Sequence, residues 1–265
     1  MKKIRTLLID LDDTLIVEKA AAHASFLETI SELESIPDKE QFVKSIRQEA
    51  RKLWYTYPTI DYCKKIGISS WEGLWAEFTG DDPNLKKLAE LRDDYRFNAW
   101  NNALIASRIR NRDLALKLGA DFARIRNGKH ALFPDVLPFL KYVTDKYTLV
   151  MVTNGAPDIQ WKKILGGKLD KLFRAILISG ELGTGKPDPP IFREALLRAD
   201  CKPENALMIG DSPTSDIGGA KSMGIQSVWM RRNSEKEPLP ELQPDYIVQD
   251  FDLVAKLLSE LDRSA

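Results

Sequence analysis

The chain has 265 residues, 43% hydrophobic and 29% charged, enough for one large or two modest globular domains with a substantial core. Its 39 Lys and Arg balance its 39 Asp and Glu, and a formal net charge of zero gives no support for binding nucleic acid or a membrane surface. The two cysteines, Cys63 and Cys201, lie far apart with neither zinc-site nor disulfide-framework spacing, which favours a reducing compartment. The opening Met-Lys-Lys-Ile-Arg-Thr-Leu-Leu-Ile superficially resembles a signal peptide, but Asp10 cuts its apolar run short. Since no other stretch is long and apolar enough to span a bilayer, a cytoplasmic protein is expected.

Residues 7–15 read Leu-Leu-Ile-Asp-Leu-Asp-Asp-Thr-Leu. The apolar triplet suits a buried strand, here placed at residues 4–10, and a period of two starts Asp10 and Asp12 on the same face. Two carboxylates about 4 Å apart repel by about 1–4 kcal/mol, depending on the local dielectric, unless a cation or a shared proton intervenes. The bland alternative is a strand leaving the core into an acidic, solvated turn.

From about residue 17 to 130 the apolar spacing is helical. Ala20, Ala24, Leu27, Ile30 and Leu33 follow steps of three and four, as do Val43, Ile46, Ala50, Leu53 and Tyr57. Asp82-Pro83 reads as N-cap and first helical residue, and Leu104–Leu118 as a further helix stopped by Gly119. Trp54, Trp71, Trp75 and Trp100 fall in this block and are read as core rather than as ligand-stacking rings.

Beyond residue 131 short β-rich runs alternate with helical segments. Strands are expected at Tyr147–Val152, Ala175–Ser179, Ala206–Gly210, Gln226–Met230 and, more weakly, Tyr246–Val248. Helices are expected at about 135–146, 157–166, 189–199, 213–223 and 251–262. This alternation predicts an α/β class: a doubly wound, mostly parallel, Rossmann-like sheet. The predicted domains are an α/β core of residues 1–16 and 131–265 and an inserted all-helical domain of residues 17–130. The stretch Arg231 to Pro244, polar and holding three prolines, reads as a surface loop.

Ligands of open parallel sheets bind beyond the carboxyl ends of the strands. Three further strand ends carry polar groups. Thr153-Asn154-Gly155 precedes a helix start at Pro157 and combines a hydroxyl with free backbone N–H groups, a place for an anion, although Asn-Gly is also a common turn. Lys186, between Gly185 and Pro187, is the cation just before the Asp188-Pro189 helix start; most such loop lysines are simply solvated. Asp211 follows Gly210 at a strand end, and Asp216 falls early in the next helix, where an acid can also merely favour the helix dipole. Together these residues suit Mg²⁺ with a phosphoryl group, and the lack of a His/Cys cluster argues against zinc.

In this order the motifs Asp10-Leu11-Asp12-Asp13-Thr14, Thr153-Asn154-Gly155, Gly185-Lys186-Pro187 and Gly210-Asp211 with Asp216 resemble those of the haloacid dehalogenase (HAD) superfamily. The resemblance covers the α/β core; the helical insertion resembles the cap of one subgroup by position and helicity alone. It implies a Mg²⁺-dependent phosphatase of a small phosphorylated metabolite: a sugar phosphate, a phosphoglycolate-like compound or a nucleoside monophosphate. Asp10 would be the nucleophile and Asp12 the acid/base; Thr153, Asn154, Gly155 and Lys186 would hold the phosphate. Asp10, Asp12 (through its carbonyl), Asp211 and Asp216 would hold the metal. The dehalogenase branch lacks the second Asp, so a 2-haloacid dehalogenase is the lesser alternative, and a non-catalytic scaffold on the same fold is another. Arg51, Trp54, Tyr57 and Lys64 are conceivable substrate contacts in the insertion.

Overall fold

A computed structural model describes residues 3–232 and 240–263. The chain forms two compact units: Met1–Val17, Ala131–Asn154 and Lys163–Ala265 make one, and Glu18–His130 with Gly155–Lys162 make the other.

The first unit is built on a six-stranded sheet of β1 (Thr6–Ile9), β2 (Thr148–Thr153), β3 (Ala175–Ile178), β4 (Ala206–Gly210), β5 (Gln226–Met230) and β6 (Tyr246–Val248), in the order β3-β2-β1-β4-β5-β6. Every pairing is parallel, as expected for strands joined by helical crossovers. β1 is central and wholly buried, which is why Thr6-Leu7-Leu8-Ile9 is a continuous run and not an alternating one. One face is packed by Leu8, Val150, Val152 and Met208 against Ile191, Phe192, Ala195 and Leu196. The order reverses between β1 and β4, so the carboxyl ends of these two strands flank the switch point.

The second unit is helical: α1 (Lys19–Thr29), α2 (Lys39–Trp54), α3 (Ile60–Ile66), α4 (Pro83–Ala106) and α5 (Arg112–Arg126). Asp38 caps α2 by accepting from Gln41 N at 2.9 Å, and Asp82 caps α4 by accepting from Asn84 N at 2.7 Å with Pro83 at the first helical position. Phe26 stacks on Phe122 at 4.2 Å between ring centroids, with Trp100 5.8 Å from Phe122; Trp54 lies 5.0 Å from Tyr95. Trp54, Trp75 and Trp100 are thus buried core, with Trp71 partly buried against it. Trp54 is accordingly removed from the conceivable substrate contacts, whereas Arg51 and Lys64 are exposed and Tyr57 is half-buried.

Three expectations are corrected. Leu104–Leu118 is not one helix: α4 ends at Ala106, Arg108 takes a positive φ of 62°, and Asn111 caps α5 by accepting from Leu114 N at 3.0 Å. Gly119 is not a stop but sits inside α5 beside Trp100, where an added Cβ would come within 3.4 Å of the indole. Periodicity continued through the break because both helices bury the same kind of face. The helix placed at 213–223 is a π-helical turn, Pro213–Gly218, running into a short α-helix, Gly219–Ser222. Finally, Gly155–Lys162 packs with the helical unit, Ala156 and Ile159 entering its core, although the sequence continues straight from β2. Of the polar loop placed at 231–244, residues 233–239 lie outside the described residues.

Candidate active site

Each sheet motif sits at a carboxyl strand end. Asp10 follows β1, and its backbone N–H donates to Ile209 O at 2.9 Å, continuing the β1–β4 ladder by one residue. Asp211 follows β4, and its carbonyl accepts from Trp229 Nε1 at 2.9 Å. Thr153 is the last residue of β2, not the first beyond it, and is fully buried. Lys186 lies past β3 and a short helix, Ser179–Leu182.

These ends converge. Lys186 Nζ donates to Asp10 Oδ1 and to Asp216 Oδ1, each at 2.6 Å, and all three side chains are buried. Thr14 Oγ1 donates to the other Asp10 oxygen, Oδ2, at 3.0 Å. Asp216 Oδ2 accepts from Ser212 N at 3.0 Å, which anchors the π-helical turn to the end of β4. Asp10, Asp211 and Asp216 each offer an oxygen within 4.8 Å of the others. Gly210 is required for this approach, because a Cβ there would lie 2.2 Å from Asp216 Oδ2.

Burial pushes the Asp10 carboxyl well above its ordinary range; the Lys186 ammonium pulls it down, and Asp216, Asp211 and Asp12 add to the push. For Lys186, burial disfavours the charged form, but Asp10 and Asp216 outweigh it and the ammonium is held well above its ordinary range. The three carboxylates gather oxygen donors at one point. A divalent cation with hard oxygen preferences fits such a donor set, and no His or Cys joins the cluster among the described residues.

Asp12 takes a different partner. Its carboxylate accepts from Lys163 Nζ at 3.0 Å on each oxygen, and Lys163 is fully buried. Asp13, with φ 56°, turns the chain directly after Asp12, and the two acids expected to start on one face are held in separate ion pairs. Lys163 escaped notice in the sequence because it sits inside a helix (Pro157–Gly166) with no motif around it.

The loops are held from behind. The Asn154 side chain brackets the Lys186 backbone: Oδ1 accepts from Lys186 N at 2.8 Å and Nδ2 donates to Lys186 O at 2.7 Å. This fixes the lysine's backbone across the β2 and β3 ends, a task that only its type as a bidentate amide foreshadowed. Arg232 donates to Thr14 O from Nε (3.2 Å) and Nη2 (3.1 Å) and to Asp135 Oδ2 from Nη1 (3.0 Å). Gly155 belongs to the stretch that packs with the helical unit and has φ 145°.

Comparison with known proteins adds to this geometry. The family model for haloacid dehalogenase-like hydrolases matches residues 4–224. A phosphoserine phosphatase of Thermus thermophilus is 35% identical over 94% of this chain and 96% of its own length. The magnesium-bound structure of the HAD-hydrolase YfnB from Bacillus subtilis is 25% identical, covers 97% of this chain and 99% of its own, and superposes with a TM-score of 0.66. The L-2-haloacid dehalogenase structure from Xanthobacter autotrophicus, 17% identical over 97% of this chain and 98% of its own, with a TM-score of 0.61, shares the fold. The parallel sheet with its buried acid–lysine cluster, beside such relatives, defines a phosphoric monoester hydrolase. The chain belongs to the haloacid dehalogenase-like hydrolases. No helix among the described residues is long and apolar enough to cross a membrane.

Proposed function

We propose that this hydrolase is a Mg²⁺-dependent phosphatase of a small phosphomonoester and works through an aspartyl-phosphate on Asp10. The observation that carries the reading is the Asp10 carboxylate, buried at a strand end with one oxygen on Lys186 and the other on Thr14. A carboxylate so oriented is a preset nucleophile. Asp10 attacks phosphorus as the bond to the leaving oxygen breaks, and the Asp12 carboxyl gives that oxygen its proton. Water then attacks the phosphorus, Asp12 takes the water's proton, the Asp10–phosphorus bond breaks and inorganic phosphate leaves. Thr153, the Asn154 and Gly155 backbone and Lys186 hold the phosphoryl oxygens and offset their charge.

Asp10, the Asp12 carbonyl, Asp211 and Asp216, the last directly or through water, would hold Mg²⁺. When bound, the ion neutralises carboxylate and phosphoryl charge and orients the substrate. The helical unit, inserted after β1, is the substrate-selecting cap in this reading. The phosphoserine phosphatase and the glyceraldehyde 3-phosphate phosphatase of Pyrococcus furiosus, the latter 37% identical over 47% of this chain and 51% of its own length, set the order of trial. O-phospho-L-serine comes first, then triose phosphates, phosphoglycolate, sugar phosphates and nucleoside monophosphates. Release of phosphate with Mg²⁺, abolished by chelation and restored by Mg²⁺, is expected. A protein that hydrolyses neither p-nitrophenyl phosphate nor any member of this panel is not a phosphatase of this kind.

A further inference from the structure

The two acids of the β1 loop are served by two lysines. Lys186 is committed to Asp10 and Asp216 at 2.6 Å each, while Lys163 reaches both oxygens of Asp12 at 3.0 Å. An ammonium buried as completely as that of Lys163 is costly to desolvate and persists where a carboxylate compensates it. The symmetry of the contact matters as much as its charge. With both Oδ atoms 3.0 Å from one nitrogen, the carboxylate is tied at two points to a buried anchor. An Asp side chain otherwise rotates freely about a soft terminal torsion. Asp12 itself keeps a side-chain exposure of 25%, so it is held from within and open on its outer side. Lys163 is also the residue at which the helix Pro157–Gly166 rejoins the α/β unit after Gly155–Lys162.

We propose that Lys163 is a positioning residue for the reaction. It aims the Asp12 carboxyl at the leaving oxygen in the first half of the cycle and at the attacking water in the second. The proposal rests on the phosphatase reading above and extends it to a residue outside the four motifs. Lys163 does not touch phosphorus or the metal in this role and acts only through Asp12. A misplaced acid costs rate where proton transfer is needed and little where it is not, and displacement by about 1 Å suffices for about 100-fold.

The test uses two substrates that differ in leaving group, O-phospho-L-serine (a strongly basic alkoxide) and p-nitrophenyl phosphate (a weakly basic phenolate), each assayed with Mg²⁺. The parameter kcat/KM covers only the steps through departure of the leaving group. For Lys163→Met it should fall about 100-fold on phosphoserine and less than about 5-fold on p-nitrophenyl phosphate. The latter substrate should also show a burst of nitrophenolate matching the enzyme concentration, because the water-attack step is slowed. Lys163→Arg, which keeps a cation in place, should recover to within about 10-fold of the parent on phosphoserine. In an Asp12→Asn background Lys163→Met should cost nothing further. If Lys163→Met does not fold, Lys163→Gln is read by the same contrast. Equal losses on both substrates, no recovery with Arg, or additive losses with Asp12→Asn would assign Lys163 to structure alone. Where another alkyl phosphate of the panel is the substrate it takes the place of phosphoserine; a parent enzyme active on neither p-nitrophenyl phosphate nor any member of the panel would overturn the phosphatase reading itself, and this role with it.

Discussion

Among the described residues, the buried charged ones are Asp10, Lys163, Lys186 and Asp216 in the α/β unit and Glu18, Glu72 and Arg126 in the helical unit. Each member of the helical set has a partner within its own unit, a side chain or the backbone. Arg126 donates to Glu18, donates to Lys129 O at 2.6 Å, and lies 4.7 Å from the Trp75 ring centroid. Glu72 accepts from the Ser69 N–H and hydroxyl at 2.9 and 2.7 Å, a capping arrangement for the turn that follows. In the α/β unit Asp10, Asp211 and Asp216 bring carboxylate oxygens within 4.8 Å of one another at the strand ends, and the nucleophile candidate is pushed out of its ordinary range. Buried charge alone therefore does not mark a site. A helical core can hold an ion pair as structure, whereas carboxylates gathered at one point cost folding energy and mark a functional candidate. Substitutions in the first unit should accordingly cost turnover, and those in the second should cost stability.

The largest contrast comes from Asp10→Asn. It should lower kcat at least about 10⁴-fold, equivalent to more than about 5 kcal/mol of activation energy, while leaving the melting temperature unchanged or raised. Steady-state kinetics alongside thermal melts would show it, and retention of even a few per cent of activity would remove Asp10 as nucleophile. Next is Arg126→Met, which strands the Glu18 carboxylate and should destabilise by about 3–5 kcal/mol in denaturant unfolding. The paired Glu18→Gln/Arg126→Met variant should lose less than Arg126→Met alone. A double variant as unstable as the sum of its parts would mean that the pair is not the unit of stability.

Asp135→Asn sharpens the comparison, since Asp135 is a structural ion pair inside the α/β unit. Burial pushes its carboxyl up, but the Arg232 hydrogen bond and the Phe251 N–H at 2.7 Å outweigh this and hold it below the usual range. A depressed folded value stabilises the protein above the unfolded value of about 4, and that contribution is lost as pH falls through the lower folded value. The variant should be less stable than the parent by about 1.5 kcal/mol at pH 7, allowing for solvent screening, with the gap closing below about pH 3. A gap independent of pH would assign the effect to packing. The smallest change is Asn111→Ala at the break between α4 and α5. Losing the cap to Leu114 N should cost about 1 kcal/mol, seen as a modest fall in melting temperature with kcat unaffected.

Much of the α/β unit was legible because its signals are local. Ala206–Gly210, Gln226–Met230, Tyr246–Val248 and the helices at 157–166 and 189–199 stand where apolar runs and proline starts place them. The Leu104–Leu118 expectation failed where a polar break left the apolar period intact on both sides. The π-helical turn at Pro213–Gly218 could not be read either, because it is drawn out by Asp216 reaching Lys186 and the Ser212 N–H, a long-range demand with no local signature.

By itself the sequence determined the fold class and the set of strand-end groups, since strand periodicity, turn residues and the order of the four motifs are written within short windows. Only the tertiary structure decided how those groups are paired. Lys186 goes to Asp10 and Asp216, Lys163 to Asp12, and the Asn154 amide to the Lys186 backbone, over separations of 30 to 176 residues. The physical reason is the parallel sheet: it gathers the carboxyl ends of strands that are remote in the chain, and the partners of a buried charge are chosen by that proximity and by the cost of leaving any charge uncompensated.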